Sequence, residues 1–221
     1  MVKLCRASVV LLIGVTVGLS GVFPSPLQMS AAGETSMLTG HRMKKRWVRF
    51  GSQIWKHMPV TINFKEYLAV FSPWQQLKVL HECTKSFTIE GKLWFKILQS
   101  DVKADISIYF EHFDGHKRYG MYGSGMEPQP GKTSWVRLEK EENWKLRRSS
   151  KPTGQQGRGK PVSFKFTLCH EIGHALGLDH VKDRNSIMYA FNEDQNDDGV
   201  DEDTRTGLQK LYGAQNPIIR G

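Results

Sequence analysis

Cysteine is scarce in this 221-residue chain, which contains only three. That number excludes a disulfide-rich scaffold. The chain also has no Asn-x-Ser/Thr glycosylation acceptor, no internal repeat, and no long uncharged apolar run beyond its N-terminus. Hydrophobic residues make up 39% and charged residues 24% of the chain, which is the balance of a globular domain rather than of a disordered polypeptide.

The N-terminus has the pattern of a secretory signal peptide. Two cations precede an apolar run over residues 8–20, and small residues at its end predict cleavage before Gly21. Residues 30–32 offer a second cleavage site. The run is short for a membrane-spanning helix and no second one follows. We therefore predict a signal peptide over residues 1–20 and a secreted, extracellular protein without a membrane span in its mature form.

The remainder of the chain divides at a basic cluster. Residues 21–46 lack periodicity and end in this cluster, which is either a processing-protease site or a solvated cationic turn. The segment is thus a short N-terminal extension or an atypical propeptide. One folded domain is expected over residues 47–213, followed by a tail at residues 214–221.

Two cysteines remain after removal of the signal peptide, which contains Cys5. An oxidising compartment allows Cys83 and Cys169 to pair. Two buried free thiols fit the sequence equally well, because the distance between the two residues is not known from sequence.

The charge balance favours anionic partners. The formal net charge is +9, and residues 145–160 carry six cations and no acids among glycine, serine and proline. This composition predicts an exposed loop, which we interpret as a site for sulfated polysaccharide. We expect no nucleic-acid partner, and we expect a monomer.

Hydrophobic periodicity predicts strands first and the motif-bearing helix later, which is an α+β order. Strands are expected at residues 59–64, 93–98, 104–110 and 135–138, a glycine-rich bend at 119–125, and helices at 163–176 and 201–212. An earlier helix begins with Ser72 as its N-cap, Pro73 at its first position and Gln75 completing a capping box. Its predicted inward stripe is Trp74, Leu77, Leu80, Thr84 and Phe87.

The stretch HEIGHALGLDH, residues 170–180, has the spacing of a catalytic metal site. His170 and His174 lie four residues apart, so both project from one face of a helix and can share a Zn²⁺ ion. Gly177 ends the helix and lets the chain reverse, which brings His180 in as third ligand. Three neutral imidazoles leave a position open for water, whose pKa the metal lowers. Glu171 is the predicted general base for that zinc-bound water.

The motif HExxHxxGxxH followed by a methionine turn resembles the metzincin signature. The turn here is Ser186-Ile187-Met188-Tyr189. Within the metzincins the chain is most similar to a matrixin catalytic domain, on the residues ADISI at 104–108, HEIGHALGLDH, SIMY and GLQKLYG at 207–213. The resemblance implies a twisted, mostly parallel sheet with two long helices. It also implies a small C-terminal subdomain holding the turn and a final helix, with Met188 as a hydrophobic floor below the zinc.

Several matrixin accessories are missing from the sequence. No cysteine lies in residues 21–46 to act as a cysteine switch, and no hemopexin-like domain is expected. The family's second, structural zinc is also not expected. His112 and Asp114 match the start of its pattern, but Arg137 stands where its fourth ligand belongs. Glu139 and Glu142 resemble one family calcium site incompletely.

A separate acidic run follows the methionine turn. Asp194, Asn196 and Asp198 match the first oxygen positions of a calcium loop. Arg205 occupies the position of the closing bidentate glutamate, which rules out a full EF-hand. A weaker calcium site and a solvated loop both remain open.

These observations predict a secreted zinc endopeptidase that cleaves extracellular proteins, with the substrate extended along an edge strand as metzincin architecture implies. The alternative is a degenerate matrixin-like module that binds anionic matrix polymers without catalysis. The intact set of His170, Glu171, His174 and His180 favours the enzyme.

Overall fold

The computed structural model describes residues 53–113, 122–129, 131–147, 161–190 and 199–213. All of them belong to one structural unit, Met43–Gly221. The signal peptide, the segment 21–46 and the tail 214–221 lie outside the described residues. Their boundaries therefore stay predictions.

A five-stranded mixed sheet forms one layer, in the order β2-β1-β3-β5-β4. Its strands are β1 (Val60–Phe64), β2 (Phe95–Ile97), β3 (Ile106–Glu111), β4 (Gly123–Gly125) and β5 (Ser134–Glu139). All neighbours pair in parallel except β4, which runs antiparallel to β5 at the edge. A short parallel pair, β6 (Trp144–Lys145) and β7 (Val162–Ser163), lies apart from this sheet.

Three helices complete the described fold: α1 (Pro73–Phe87), α2 (Phe164–Ala175) and α3 (Glu202–Tyr212). Helix α2 packs against α1 and against the sheet at β4 and β5. This arrangement confirms the expected α+β, metzincin-like fold with its mostly parallel sheet. No helix within the described ranges has both the length and the apolar character needed to cross a membrane.

Helix α1 begins as predicted, but its buried face differs. The Ser72 hydroxyl accepts a hydrogen bond from the backbone N–H of Gln75, and the Gln75 side chain accepts one in return. The prediction that Trp74 points inward is wrong, since it is 67% exposed. Trp74 lies six residues before Leu80, about 120° around the helix, and Lys78 covers its ring.

Gln76 lies on the buried face of α1, although it is not part of the predicted inward stripe. Its side chain is fully buried. Its amide donates to the carbonyls of Leu68 and Phe71 and accepts from the Leu68 N–H, so the segment before the helix satisfies the buried polar group.

The expected glycine-rich bend contains a strand instead. Gly123–Gly125 pairs with β5 through the register Gly123–Leu138 and Gly125–Val136. Glycine is a poor strand former on its own. The strand exists here because β5 supplies its ladder and because α2 packs directly on its face, as described below.

A disulfide joins the two long helices. Cys83 on α1 and Cys169 on α2 are bonded, with a Cα–Cα distance of 5.2 Å. Both residues are buried, at 0% and 1% exposure. The sequence was compatible with a disulfide or with two free thiols, and the structure shows the disulfide. The bond fixes α2 to α1 one residue before His170.

We expect the double substitution C83A/C169A to lower the free energy of unfolding by about 2–5 kcal/mol, because the bond closes a long loop in the unfolded chain. Urea unfolding at saturating zinc measures the change. Reductant should destabilise the wild type and leave the double variant unaffected. A loss below about 0.5 kcal/mol would contradict a stabilising role for this bond.

Candidate metal centre

The helix that carries the first two histidines is buried on nearly every side. Ser163 caps its N-terminus by accepting a hydrogen bond from the Phe166 N–H at 3.1 Å. Ten of the twelve residues of α2 are buried, including His170 and Glu171 at 7% and 6% exposure. Buried charged and polar side chains of this kind need specific partners.

Helix α2 ends in a Schellman turn centred on Gly177. The Leu178 N–H donates to the Gly173 carbonyl at 3.0 Å, and the Gly177 N–H donates to the His174 carbonyl at 2.9 Å. Gly177 has a φ of +92°, a left-handed conformation that favours glycine. The chain therefore reverses immediately after His174, as the sequence predicted.

Two aromatic side chains satisfy carbonyls at the C-terminal end of α2. Trp55 Nε1 donates to the Ala175 carbonyl at 3.0 Å, and the Tyr212 hydroxyl donates to the Leu176 carbonyl at 2.9 Å. Without such partners these carbonyls would be orphan acceptors. The two bonds tie the segment before β1 and helix α3 to the point where the chain turns towards His180.

The three histidines converge on one point. The Nε2 atoms of His170, His174 and His180 are each 3.1 Å from the other two. Nitrogen ligands at the usual distance of about 2.0–2.1 Å from a tetrahedral Zn²⁺ are themselves about 3.3 Å apart. The observed triangle fits this requirement to within a few tenths of an ångström. Within the described residues, this is the only cluster of histidine, cysteine or carboxylate side chains suited to holding a metal.

The tautomers of His170 and His174 also suit metal binding. His170 Nδ1 donates to the Ile187 carbonyl at 2.6 Å, and His174 Nδ1 donates to the Leu178 carbonyl at 2.9 Å. A carbonyl only accepts, so each Nδ1 carries the hydrogen and each Nε2 of a neutral ring presents a lone pair to the centre. Burial, reinforced by His174, lowers the pKa of His170 to about 3, which keeps this ring neutral. Facing lone pairs at 3.1 Å repel one another unless a cation lies between them.

Exposure to solvent increases from the first to the third histidine. His170 is buried, His174 is half-buried and His180 is exposed. A metal held by three imidazoles would keep a coordination position free, and the exposed side at His180 gives solvent access to it.

Glu171 lies next to the first histidine and is held by the edge strand. The Gly125 N–H donates a hydrogen bond to its carboxyl group. Burial raises the pKa of Glu171 to about 8, and the Gly125 hydrogen bond opposes this rise. A carboxyl group with a pKa near neutrality can both accept and release a proton.

Two glycines of β4 allow the catalytic helix to approach the strand. A Cβ atom on Gly123 would lie 2.7 Å from Glu171 Cγ, and one on Gly125 would lie 2.4 Å from the Glu171 carbonyl oxygen and 2.9 Å from His174 Cβ. A side chain at Gly125 would collide with the backbone of α2, and one at Gly123 would displace the Glu171 side chain. The absent Cβ atoms therefore set the distance between β4 and the metal-binding residues.

The methionine turn packs beneath the histidines. Met188 is 1% exposed, and a Cβ atom on Gly173 would lie 2.4 Å from its sulfur. The Met188 carbonyl accepts from the Val181 N–H at 2.9 Å, so the turn also holds the residue after His180. The role of Met188 as a floor below a zinc ion stays a prediction.

Asp201 links this turn to α3. Its carboxylate caps the helix through the Thr204 N–H and accepts from the Ser186 hydroxyl and the Ile187 N–H, all at 2.9 Å. Burial alone would raise the pKa of Asp201, but these donors and the Thr204 hydroxyl hold it below its usual value. Because the Ile187 carbonyl accepts from His170, the cap of α3 and the first histidine share one hydrogen-bonded segment.

The structure brings together His170, His174 and His180, with Glu171, Met188 and Gly177 in adjoining positions. The calcium candidates Asp194, Asn196 and Asp198 lie outside the described residues, as does Asp114. The basic loop is described only to residue 147, where Arg147 forms an ion pair with Glu82.

The residues of the second-zinc pattern have other partners. Arg137 forms an ion pair with Glu111 at 3.4 Å and stacks 4.0 Å over the Trp135 ring. His112 lies 3.9 Å from the carboxylates of Glu139 and Glu141. A guanidinium offers no lone pair to a metal, and the absence of a second zinc stays a prediction.

Sequence reasoning missed four residues of this site, namely Gly123, Gly125, Gly173 and Asp201. The glycines carry no chemical group, and their role depends on contacts between distant parts of the chain. The sequence places Asp201 only as the first residue of the predicted helix at 201–212. The available signal was its position as an N-cap thirteen residues after Met188.

We expect Gly125→Ala to destabilise the protein by about 1–3 kcal/mol, since its methyl group collides with α2, and to weaken zinc retention. Ser124→Ala is the matched control, because it changes the neighbouring residue of the same strand. Thermal unfolding and zinc content after dialysis against a weak chelator measure both effects. Equal stability and zinc retention in the two variants would contradict the close packing of β4 on α2.

Comparisons with known proteins agree with this geometry. A matrixin family model matches residues 54–213. Matrilysin from Rattus norvegicus is 27% identical over 74% of this chain, and matrilysin from Mus musculus is 31% identical over 52%. Neutrophil collagenase from Homo sapiens is 26% identical over 76%. The matches span 60%, 43% and 35% of the lengths of those proteins. Because the family model covers more than half of the sequence, this chain belongs to the matrixins, a family of zinc-dependent metalloendopeptidases.

Proposed function

We propose that this protein is a secreted zinc-dependent endopeptidase that hydrolyses peptide bonds of extracellular proteins. The observation that carries the proposal is the triangle of imidazole Nε2 atoms, 3.1 Å on each side, next to the buried carboxyl group of Glu171. This combination matches a hydrolytic site with three protein ligands and a separate general base.

His170, His174 and His180 are proposed to hold one Zn²⁺ ion. When bound, the ion would act as a Lewis acid on the scissile carbonyl and would acidify the attacking water. The protein orients two of the three rings. The Nδ1 atoms of His170 and His174 donate to the carbonyls of Ile187 and Leu178, respectively.

Glu171 is proposed to move the proton. Its carboxylate accepts a proton from the attacking water as the oxygen of that water bonds to the scissile carbon. The same carboxyl group then donates this proton to the leaving amine nitrogen as the C–N bond breaks. The backbone of Gly125 lies beside this carboxyl group and favours its charged form.

The substrate is proposed to extend antiparallel to β4. This strand ends the sheet and pairs only with β5 among the described strands. An exposed strand edge can add a further strand through main-chain hydrogen bonds. Since Gly125 belongs to both the strand and the Glu171 contact, a peptide on this edge would lie beside the catalytic carboxyl group.

Secretion is supported by the disulfide between Cys83 and Cys169 and by the N-terminal signal pattern. Disulfides form and persist mainly in oxidising compartments. The basic loop at residues 145–160 remains a proposed site for sulfated polysaccharide, and Asp194, Asn196 and Asp198 a proposed weak calcium site. A monomer remains the expected oligomeric state.

We expect Glu171→Ala to lower kcat/KM for peptide cleavage by at least about 100-fold, because general-base catalysis contributes about that much. Zinc content should stay at one ion per chain, since Glu171 is not a proposed ligand. A peptide library with mass-spectrometric detection provides the assay. Glu90→Ala, on an exposed residue outside the site, is the control.

Undiminished cleavage by Glu171→Ala would show that the proposed mechanism is wrong. If the wild type retains zinc but cleaves no peptide in the library, the endopeptidase assignment fails and a non-catalytic module becomes the better account.

A further inference from the structure

A cavity separate from the candidate metal centre lies at the end of the sheet where β1, β3 and β5 begin. It has a volume of about 440 Å³ and is lined by the segment before β1, the residues before β3 and the connection between β4 and β5. Its wall includes Trp55, whose indole donates to Ala175 on α2. None of the three histidines or Glu171 lines it. The cavity is therefore distinct from the candidate metal centre.

The lining of this cavity is cationic. Lys56, Lys103 and Lys132 line it and are exposed. None of these three ammonium groups forms an ion pair with any residue that the structure describes. Asp105 is the single acid in the lining, and His57 lies 3.1 Å from its carboxylate. The formal charge of the lining is thus +2 with His57 neutral.

The carboxylate of Asp105 is already engaged. Its Oδ2 accepts hydrogen bonds from the Thr61 N–H at 2.8 Å and the Thr61 hydroxyl at 2.6 Å, in addition to the His57 contact. These donors hold the pKa of Asp105 below its usual value, although burial alone would raise it. The carboxylate therefore anchors the start of β1, and the lysines are left as the groups available to a ligand.

Three backbone N–H groups in or next to the lining are engaged as well. The Asp105 N–H donates to the Thr61 hydroxyl, and the Ser134 N–H next to the lining donates to the Asp105 carbonyl. The Lys132 N–H donates to the Gln129 carbonyl. A peptide strand binds through main-chain hydrogen bonds, and these donors are not free to form them. The side chains that remain in the lining include those of the three lysines, Gln53 and Gln129, together with the rings of Trp55 and His57.

We propose that this cavity binds a sulfated saccharide, with Lys56, Lys103 and Lys132 contacting its sulfate groups. A short sulfated saccharide carries several sulfate anions and many hydroxyl groups. The sulfates match the charge of the three lysines, and the saccharide matches the size of the cavity. The side-chain amides of Gln53 and Gln129 suit hydroxyl groups, and the exposed imidazole of His57 offers a face to a sugar ring. None of the lining residues belongs to the basic loop at residues 145–160, and occupation of the cavity does not require proteolysis.

The test measures binding of a sulfated heparin-derived tetrasaccharide to the purified full chain by isothermal titration calorimetry at physiological salt. We expect K56Q/K103Q/K132Q to weaken binding about tenfold or more, because three contacts to sulfate are lost. The control K78Q/K85Q/K96Q removes the same charge from exposed lysines outside the cavity and should change affinity about twofold or less. Thermal unfolding confirms that both variants are folded.

Equal weakening in the two triple variants would overturn the proposal, because it would show a general charge effect. So would absence of binding in the wild type, or binding of an unsulfated tetrasaccharide with equal affinity. Equal or tighter binding of a tetraglutamate peptide would assign the cavity to acidic peptides instead. Since no cleavage is measured, these outcomes are independent of whether the protein is an active endopeptidase.

Discussion

The end of helix α2 is the constraint on which the rest of the site depends. Two imidazoles four residues apart can share a metal only along one face of a helix, and the third must come from chain that has already reversed. The left-handed Gly177 makes the reversal within two residues, so that His180 Nε2 reaches 3.1 Å from both partners. The hydrogen bonds from Trp55 and Tyr212 hold the chain at this point.

The elements packed around this end of α2 each position a residue of the candidate site. The disulfide holds α2 to α1 beside His170, and the Asp201 cap positions the turn whose Ile187 carbonyl orients the same ring. The glycines of β4 bring a backbone N–H to Glu171. Preorganised groups of this kind need no rearrangement when charge develops during the reaction. The protein thus combines a rigid site with a surface that opens at His180.

The parts predicted from sequence are those set by local spacing. The capping box at Ser72, the turn at Gly177 and the matching of histidines four and six apart all depend on residues close in the chain. Contacts between distant residues were not accessible in this way. The pairing of Cys83 with Cys169, the exposure of Trp74 and the strand at Gly123–Gly125 depend on which surfaces meet, and a single sequence does not contain that distance information.

We propose that three imidazoles hold one zinc ion and leave one coordination position open. X-ray absorption at the zinc edge, on the full chain loaded with one equivalent of zinc, tests it most directly. We expect three imidazole nitrogens at about 2.0–2.1 Å and a further light-atom ligand from solvent. A sulfur ligand at about 2.3 Å, or fewer than three imidazoles, would contradict it.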